Sequence, residues 1–295
     1  MSDSMWVSLM GSEVRFREAG GARTRTFEDG AGDPVVLLHG VTGHAEAWCR
    51  NVVPLARDNR VIAVDMLGHG MTDKPRIGYS IDVLAQHVLG LLDALSITRA
   101  HLVGQSLGGW VAGWIAAHHP ERVLSFTSVT GAGLKVTDDA ETVSATVTSN
   151  VATATHRALA NPTREEVRTR LEWLMCNPAT VTDELVETRY RLYSDPDFQA
   201  VAPGLLDAVT TGADADEFLT PTVLAAITCP TLIVWTRQNP TMPWQVGQQA
   251  AALISNARFV LIEDAGHWPQ FEKPDEFNAT LGAFLSEVSA QQGAE

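Results

Sequence analysis

Ala100-His101-Leu102-Val103-Gly104-Gln105-Ser106-Leu107-Gly108-Gly109-Trp110 is the stretch on which the fold turns. It opens as a short apolar strand, Leu102-Val103, and runs on into helix-forming residues, Trp110-Val111-Ala112-Gly113-Trp114-Ile115-Ala116-Ala117. Between them, Gly104-x-Ser106-x-Gly108 has the spacing of a nucleophile elbow. A serine at the tip of so sharp a turn needs a strained backbone. That backbone leaves no room for side chains two residues before or after it, so both flanks want glycine. The turn lifts the hydroxyl above the sheet, at a helix N-terminus whose dipole favours developing negative charge. The five-residue spacing arises often by chance, and the strand–turn–helix context is what makes Ser106 a nucleophile candidate. The bland alternative is a glycine-rich helix start with a buried serine.

The chain on either side alternates strand and helix. Residues 13–18 and 22–28 alternate polar and apolar across Gly20-Gly21, which predicts a hairpin at a sheet edge. Pro34-Val35-Val36-Leu37-Leu38 and Arg60-Val61-Ile62-Ala63-Val64 are continuous apolar runs, suited to strands buried on both faces. A helix is expected over 45–55. Another is expected over 80–94, where Val83, Leu84, Val88, Leu91 and Leu92 share one face. Residues 123–129 form one more strand. From about Lys135 to Thr222 the alternation stops, and amphipathic helices are expected over 143–159, 164–175 and 182–193. Strands at 230–235 and 257–262 and helices over 245–254 and 274–288 resume it. This pattern predicts the α/β class: a doubly wound, mostly parallel sheet with a helical insertion.

The 295 residues carry a formal charge of −14 and are 45% apolar, enough for a large core. The acidic balance argues against nucleic-acid and anionic-membrane partners and implies solubility more than any specific partner. Cys49, Cys176 and Cys229 have no ligand-like spacing and are expected to be free thiols in a reducing compartment. No basic region followed by an apolar run opens the chain, and no run is long enough for a bilayer span. The expected location is the cytoplasm. No cofactor is implied, and a homo-oligomer is compatible with the chain.

A serine hydroxyl needs a base that takes its proton as it attacks. His267 follows a predicted strand, so it belongs to the same carboxyl-end rim as the elbow. His118 and His119 sit at a helix end and suit its dipole. His44 and His69 fall in rim loops and are expected near the pocket. A metal site from His39, His44 and His69 is disfavoured, since no carboxylate accompanies them at ligand spacing. A tetrahedral oxyanion needs backbone N–H donors, expected from Leu107 and from the loop after His39-Gly40, at Val41.

The order of a hairpin, a buried strand ending in His39-Gly40, Asp65-x-x-Gly68-x-Gly70, Gly104-x-Ser106-x-Gly108-Gly109, a helical insertion and Gly266-His267-Trp268-Pro269 resembles the α/β-hydrolase superfamily. The resemblance covers essentially the whole chain. It implies an eight-stranded, mostly parallel sheet, with residues 1–133 and 223–295 as core and 134–222 as a helical cap. It also implies Ser106 as nucleophile, His267 as base, and Val41 and Leu107 as oxyanion donors. One position departs from it. The superfamily's triad acid usually follows the seventh strand, where this chain reads Thr236-Arg237-Gln238-Asn239-Pro240-Thr241-Met242-Pro243. Asn239 stands at the aspartate position. It can orient an imidazole but cannot stabilise imidazolium with charge, and in a serine-protease triad that Asp→Asn change costs roughly ten-thousand-fold. Three readings stay open: Asn239 as orienter, Glu263 or Asp264 as substitute acid, or a weakly catalytic, ligand-binding protein.

Gly266-His267-Trp268-Pro269-Gln270-Phe271-Glu272 is similar to the end of the meta-cleavage-product hydrolases, which cut C–C bonds in vinylogous 1,5-diketone acids. That resemblance implies a cap arginine gripping a carboxylate, for which Arg189 is the candidate. The competing expectation is an exposed helix arginine paired with Glu187. Gln105, where that family has asparagine, and the loop Gly40-Val41-Thr42-Gly43-His44 look more like general carboxylesterases. The joint expectation is a serine hydrolase of small carboxylic esters that bear a free carboxylate, such as monoalkyl phthalates. C–C hydrolysis of ring-fission products is the alternative. His39, Gln105, Met242 and Trp268 are further substrate-contact candidates, and Trp173, Met175 and Tyr190 are candidates for an apolar pocket wall.

Overall fold

Four consecutive apolar residues are stable in the middle of a sheet only when helices cover both its faces, and that is where the runs at 35–38 and 61–64 lie. The computed structural model describes residues 4–136, 153, 155–210 and 217–292. Its eight strands are β1 (Glu13–Ala19), β2 (Ala22–Asp29), β3 (Pro34–Leu38), β4 (Arg60–Val64), β5 (Ala100–Gln105), β6 (Val123–Val129), β7 (Thr231–Thr236) and β8 (Ala257–Ile262). They form one sheet in the order β1-β2-β4-β3-β5-β6-β7-β8. β1 and β2 pair antiparallel, as does β2 with β4, and every later pair is parallel. The parallel strands therefore end on one rim, and β5 sits near the centre of it.

Helices α1 (Ile81–Ala94) and α2 (Leu107–His118) follow the expected apolar periodicity, and the Ser80 hydroxyl caps α1 by accepting from the Val83 amide. The Asp65-x-x-Gly68-x-Gly70 loop is a polar knot behind the rim. Asp65 accepts from the amides of Ala45 and Met71, both at 2.7 Å, and from Arg25 Nε at 2.6 Å. A Cβ on Gly70 would fall 2.1 Å from Asp65 Oδ2, so glycine there lets the loop close on the carboxylate.

Between β6 and β7 the chain leaves the sheet. Its two crossings pair with each other, Leu219 donating to the Gly133 carbonyl and Lys135 to the Leu219 carbonyl, while the Trp110 indole donates to Glu217 O. Above this neck stand α3 (Arg164–Leu174), capped by Thr163, α4 (Asp183–Tyr193), capped by Thr182, and α5 (Pro196–Thr210). Helices α6 (Trp244–Leu253) and α7 (Pro274–Gln292) complete the layers.

Three elements differ from the sequence expectation. The helix expected over 45–55 is a single 3-10 turn, Ala45–Trp48, and a single α turn, Val52–Leu55. Asn51 interrupts it, donating to Gln270 O and to Asn278 Oδ1. Helix α5 was not expected, and it carries Pro203 and Gly204 inside it. Its buried face of Phe198, Val201, Ala202, Leu205 and Leu206 outweighs them. Of the helix expected over 143–159, the part before 153 lies outside the described residues. Cys49, Cys176 and Cys229 are free thiols, and among the described residues no helix is long and apolar enough to cross a membrane.

The interior holds several neutral histidines. Burial lowers His39 to about 3 and His87 and His101 to about 4. The unfolded chain takes up protons near pH 6.5 that these folded rings refuse, so stability is full above that value and is lost as pH falls toward the folded values. The thermal midpoint should hold above about pH 6.5 and drop measurably by about pH 5. Scanning calorimetry across that window checks it, and a flat midpoint would contradict the neutral assignment.

Candidate active site

Ser106 caps α2 with φ +53° and ψ −115°, a conformation that costs a non-glycine residue about 1–3 kcal/mol. Neighbouring strands hold it there. Its amide donates to Val129 O at 3.0 Å, and its carbonyl accepts from the amides of Trp110 and Ala132. A Cβ on Gly104 would meet Gly108 O at 2.0 Å, and one on Gly108 would meet Leu38 O at 2.3 Å. Both flanking glycines are therefore obligatory, for the reason the spacing implied.

His267 leaves β8 and lines the same cavity as Ser106. Its backbone is fixed on both sides. The carbonyl accepts from Thr130 Oγ1 at 2.9 Å and Gln105 Nε2 at 3.2 Å, and the amide donates to Leu174 O at 2.7 Å. Gly266 is the contact that admits α3's end: a Cβ there would lie 2.3 Å from Leu174 O. Ring atom Nδ1 faces Asn239 Oδ1 at 3.0 Å and Thr241 Oγ1 at 3.1 Å, and the Thr241 hydroxyl itself donates to Asn239 Oδ1 at 2.9 Å. This network assigns the proton to Nδ1 and leaves Nε2 as the basic nitrogen on the cavity side.

Of the three readings left open for the triad acid, the geometry brings only Asn239 to the imidazole. Glu263 pairs with Arg237 and Asp264 with Lys273, both at the surface. Burial, then the positive charge of Arg170, lowers His267 to about 3. Asn239 Nδ2 is buried and has no partner among the described residues, a state that costs about 1–3 kcal/mol.

Val41 and Leu107 line the cavity beside Ser106, and the Leu107 amide, first in α2, lacks an intrahelical acceptor. The loop carrying Val41 is strained at Thr42 (φ +56°) and is held by α4. Tyr193 OH meets Thr42 Oγ1 at 2.8 Å, and Arg189 Nη1 donates to Thr42 O at 2.5 Å. Gln105, Met242 and Trp268 also line the cavity.

Several expectations are corrected. The His39 ring is not on the wall: Nδ1 bonds Gly40 O and Nε2 accepts from the Met66 amide, so it braces the loop from behind. His44 and His69 are fully buried off the cavity, His44 against Glu46. Trp173, Met175 and Tyr190 do not line it either. Arg189 is not the exposed partner of Glu187, which binds Arg164 and Arg191 instead. It is 1% exposed and lies behind the wall, its Cζ 5.4 Å from the Trp268 ring centroid.

Arg170, Thr241, Thr130 and Tyr193 were missed. For Arg170 a signal existed. It shares the helical stripe of Val167, Leu171 and Leu174, so an arginine occupies an apolar-face position.

Residues 33–274 match the family model described as alpha/beta hydrolase fold. The chain is 34% identical over 282 residues to the 2-hydroxymuconate semialdehyde hydrolase of Pseudomonas sp. strain CF600, covering 92% of this chain and 93% of that one. It is 31% identical over 279 residues to the 2-hydroxy-6-oxo-2,4-heptadienoate hydrolase of Pseudomonas putida, covering 91% and 94%. Among solved structures it is similar to a serine hydrolase of carbazole degradation, with a TM-score of 0.80 and 28% identity over 94% of this chain and 99% of that one. The meta-cleavage product hydrolase of Pseudomonas fluorescens gives a TM-score of 0.78 and 28% identity over 93% and 98%.

Ser106→Ala should abolish hydrolysis and leave the circular dichroism spectrum unchanged; retained turnover would remove Ser106 from the chemistry. Asn239→Asp removes an orphaned donor and sets a carboxylate on Nδ1. It should raise kcat/KM by about tenfold or more and move the acid limb of the pH profile upward. A large loss would show that the neutral amide is required.

Proposed function

Because this chain belongs to the α/β-hydrolase family, we propose that it is a C–C bond hydrolase of meta-ring-fission products, unsaturated hydroxy-oxo acids. The observation that carries this reading is the free edge of Arg189. Its Nε and Nη2, adjacent on one side of the guanidinium, are buried and without a partner among the described residues. That edge is the fork that takes a carboxylate bidentately, and leaving it empty in the interior is costly. Arg189 lies behind the Trp268 side of the wall and its Nη1 already serves Thr42 O, so seating a carboxylate on the free edge requires the wall to give way. The names of the relatives supply the rest: 2-hydroxymuconate semialdehyde and 2-hydroxy-6-oxo-2,4-heptadienoate hydrolases act on such acids.

In this mechanism the dienol first ketonises, losing its hydroxyl proton and gaining one at the carbon next to the carbonyl to be cleaved; Ser106 Oγ then attacks that carbonyl and passes its proton to His267 Nε2. The amides of Val41 and Leu107 hold the oxyanion. The C–C bond breaks, and the leaving carbon, delocalised into the neighbouring keto acid, takes the proton back from His267. Water then hydrolyses the acyl group from Ser106 by the same base.

A second reading, hydrolysis of an ester bearing a free carboxylate such as a monoalkyl phthalate, uses the same machinery. Gln105 favours it, since its amide is engaged by the His267 carbonyl rather than offered to a dienoate. A steady-state comparison of 2-hydroxymuconate semialdehyde, a monoalkyl phthalate and a neutral 4-nitrophenyl ester separates the two. The ring-fission product should show the highest kcat/KM. Faster turnover of the half-ester would establish the ester reading instead. With the preferred acid, Arg189→Ala should raise KM about tenfold to a hundredfold more than it does for the neutral ester, which loses only what the loosened Thr42 loop costs; equal losses on both would sink the carboxylate fork.

A further inference from the structure

The cation on the cavity wall is Arg170, which the reading above does not use. It projects from α3 into the cavity that holds Ser106 and His267, and it is only 6% exposed. Among the described residues its one hydrogen bond is from Nε to Thr155 Oγ1 at 3.1 Å. Its terminal nitrogens bond no described residue and are not among the sealed, unpartnered atoms, so they open on the cavity. No described carboxylate lies within ion-pair distance. The nearby charged and ionisable groups that act on it are Arg189, which repels it, and Tyr193. A guanidinium held this way in the interior is costly, and an anion that comes to it offsets that cost.

We propose that Arg170 binds an anionic group of the substrate on the cavity wall (the carboxylate of a half-ester or, in a ring-fission product, the ionised 2-hydroxyl beside the carboxylate that Arg189 takes), and that this group supplies the negative charge which Asn239 withholds from His267. The proposal rests on the hydrolase reading and deepens it. By itself Arg170 opposes protonation of His267, and the amide of Asn239 offers only a dipole against it. The other charges around the imidazole are engaged elsewhere. Glu272 accepts from the amides of Gly266 and Asn177, Arg237 meets Glu263, Lys273 faces Asp264, and Arg189 of α4 lies behind Trp268. An anion on Arg170 cancels the one opposing charge, so imidazolium forms more readily when the right substrate is seated. The substrate's own charge thus helps to activate the base, and a neutral substrate forgoes that help.

The test uses the full-length protein with two esters, mono-4-nitrophenyl glutarate and neutral 4-nitrophenyl butyrate. Arg170→Met should cost the half-ester about tenfold to a hundredfold in kcat/KM, in kcat as well as KM. The neutral ester should keep or gain rate, and its acid limb should move to higher pH as the opposing charge disappears. Arg170→Lys should recover part of the half-ester activity. Equal losses on both esters, or an unmoved acid limb, would overturn the proposal. A binding arm separates the two readings. Ser106→Ala should bind monomethyl glutarate calorimetrically, and adding Arg170→Met should weaken that binding at least about tenfold. If no substrate turns over yet binding depends on Arg170, the hydrolase reading falls and the anion site stands. If binding is indifferent to Arg170, the anion site falls whatever the turnover.

Discussion

The strained turn at Ser106 is the constraint from which the rest of the site follows. A non-glycine residue at φ +53° persists only where its surroundings leave no alternative. Here the surroundings are the central strands. β6 takes the Ser106 amide, Gly104 and Gly108 come into near contact, and Leu38 at the end of β3 presses on Gly108. The same contacts that strain the serine bring the β3 loop, with Val41, beside it. Ser106 and the candidate oxyanion donors are therefore one packing unit, and the carboxyl ends of β6, β7 and β8 deliver Thr130, Asn239 and His267 to the same rim.

Charge is distributed unusually around this unit. In a charged triad a carboxylate behind the histidine stabilises imidazolium directly. Here the group behind His267 is an amide supported by Thr241, and the charge that acts on the imidazole is that of Arg170, a cation lining the same cavity. The positive side of the balance lies in the helices above the sheet, where Arg170 and Arg189 are buried without described counter-ions. Such an interior is electrostatically incomplete until an anion enters it. Recognition of an acidic substrate and activation of the base are then two consequences of one charge.

The helical layer also shapes the site mechanically. Arg189 and Tyr193 of α4 hold Thr42, and the end of α3 meets Gly266 and the His267 amide. Glycine at 266 is a requirement of this contact, because any side chain there would push Leu174 and its helix off the rim.

Local chemistry made much of this legible in the chain. Strand runs, the elbow glycines, the rim position of His267 and the neutral residue at 239 depend on backbone period and on what fits a tight turn, and neighbours in sequence express both. The helix at 196–210 escaped because its burial outweighs Pro203 and Gly204, and burial is a property of the partner surface. The places of His39, Arg189 and Arg170 escaped for the same reason. An arginine in an apolar stripe is visible as an anomaly, yet whether it faces a cavity, a carboxylate or a loop carbonyl is set by residues more than a hundred positions away, as with Thr42 and Arg189. The sequence by itself determined the scaffold and singled out Ser106 and His267 as candidate nucleophile and base. The tertiary structure alone decided which nitrogen of the base is free, what stands behind it, and where the uncompensated charge lies, because those are relations between side chains that only packing brings within reach.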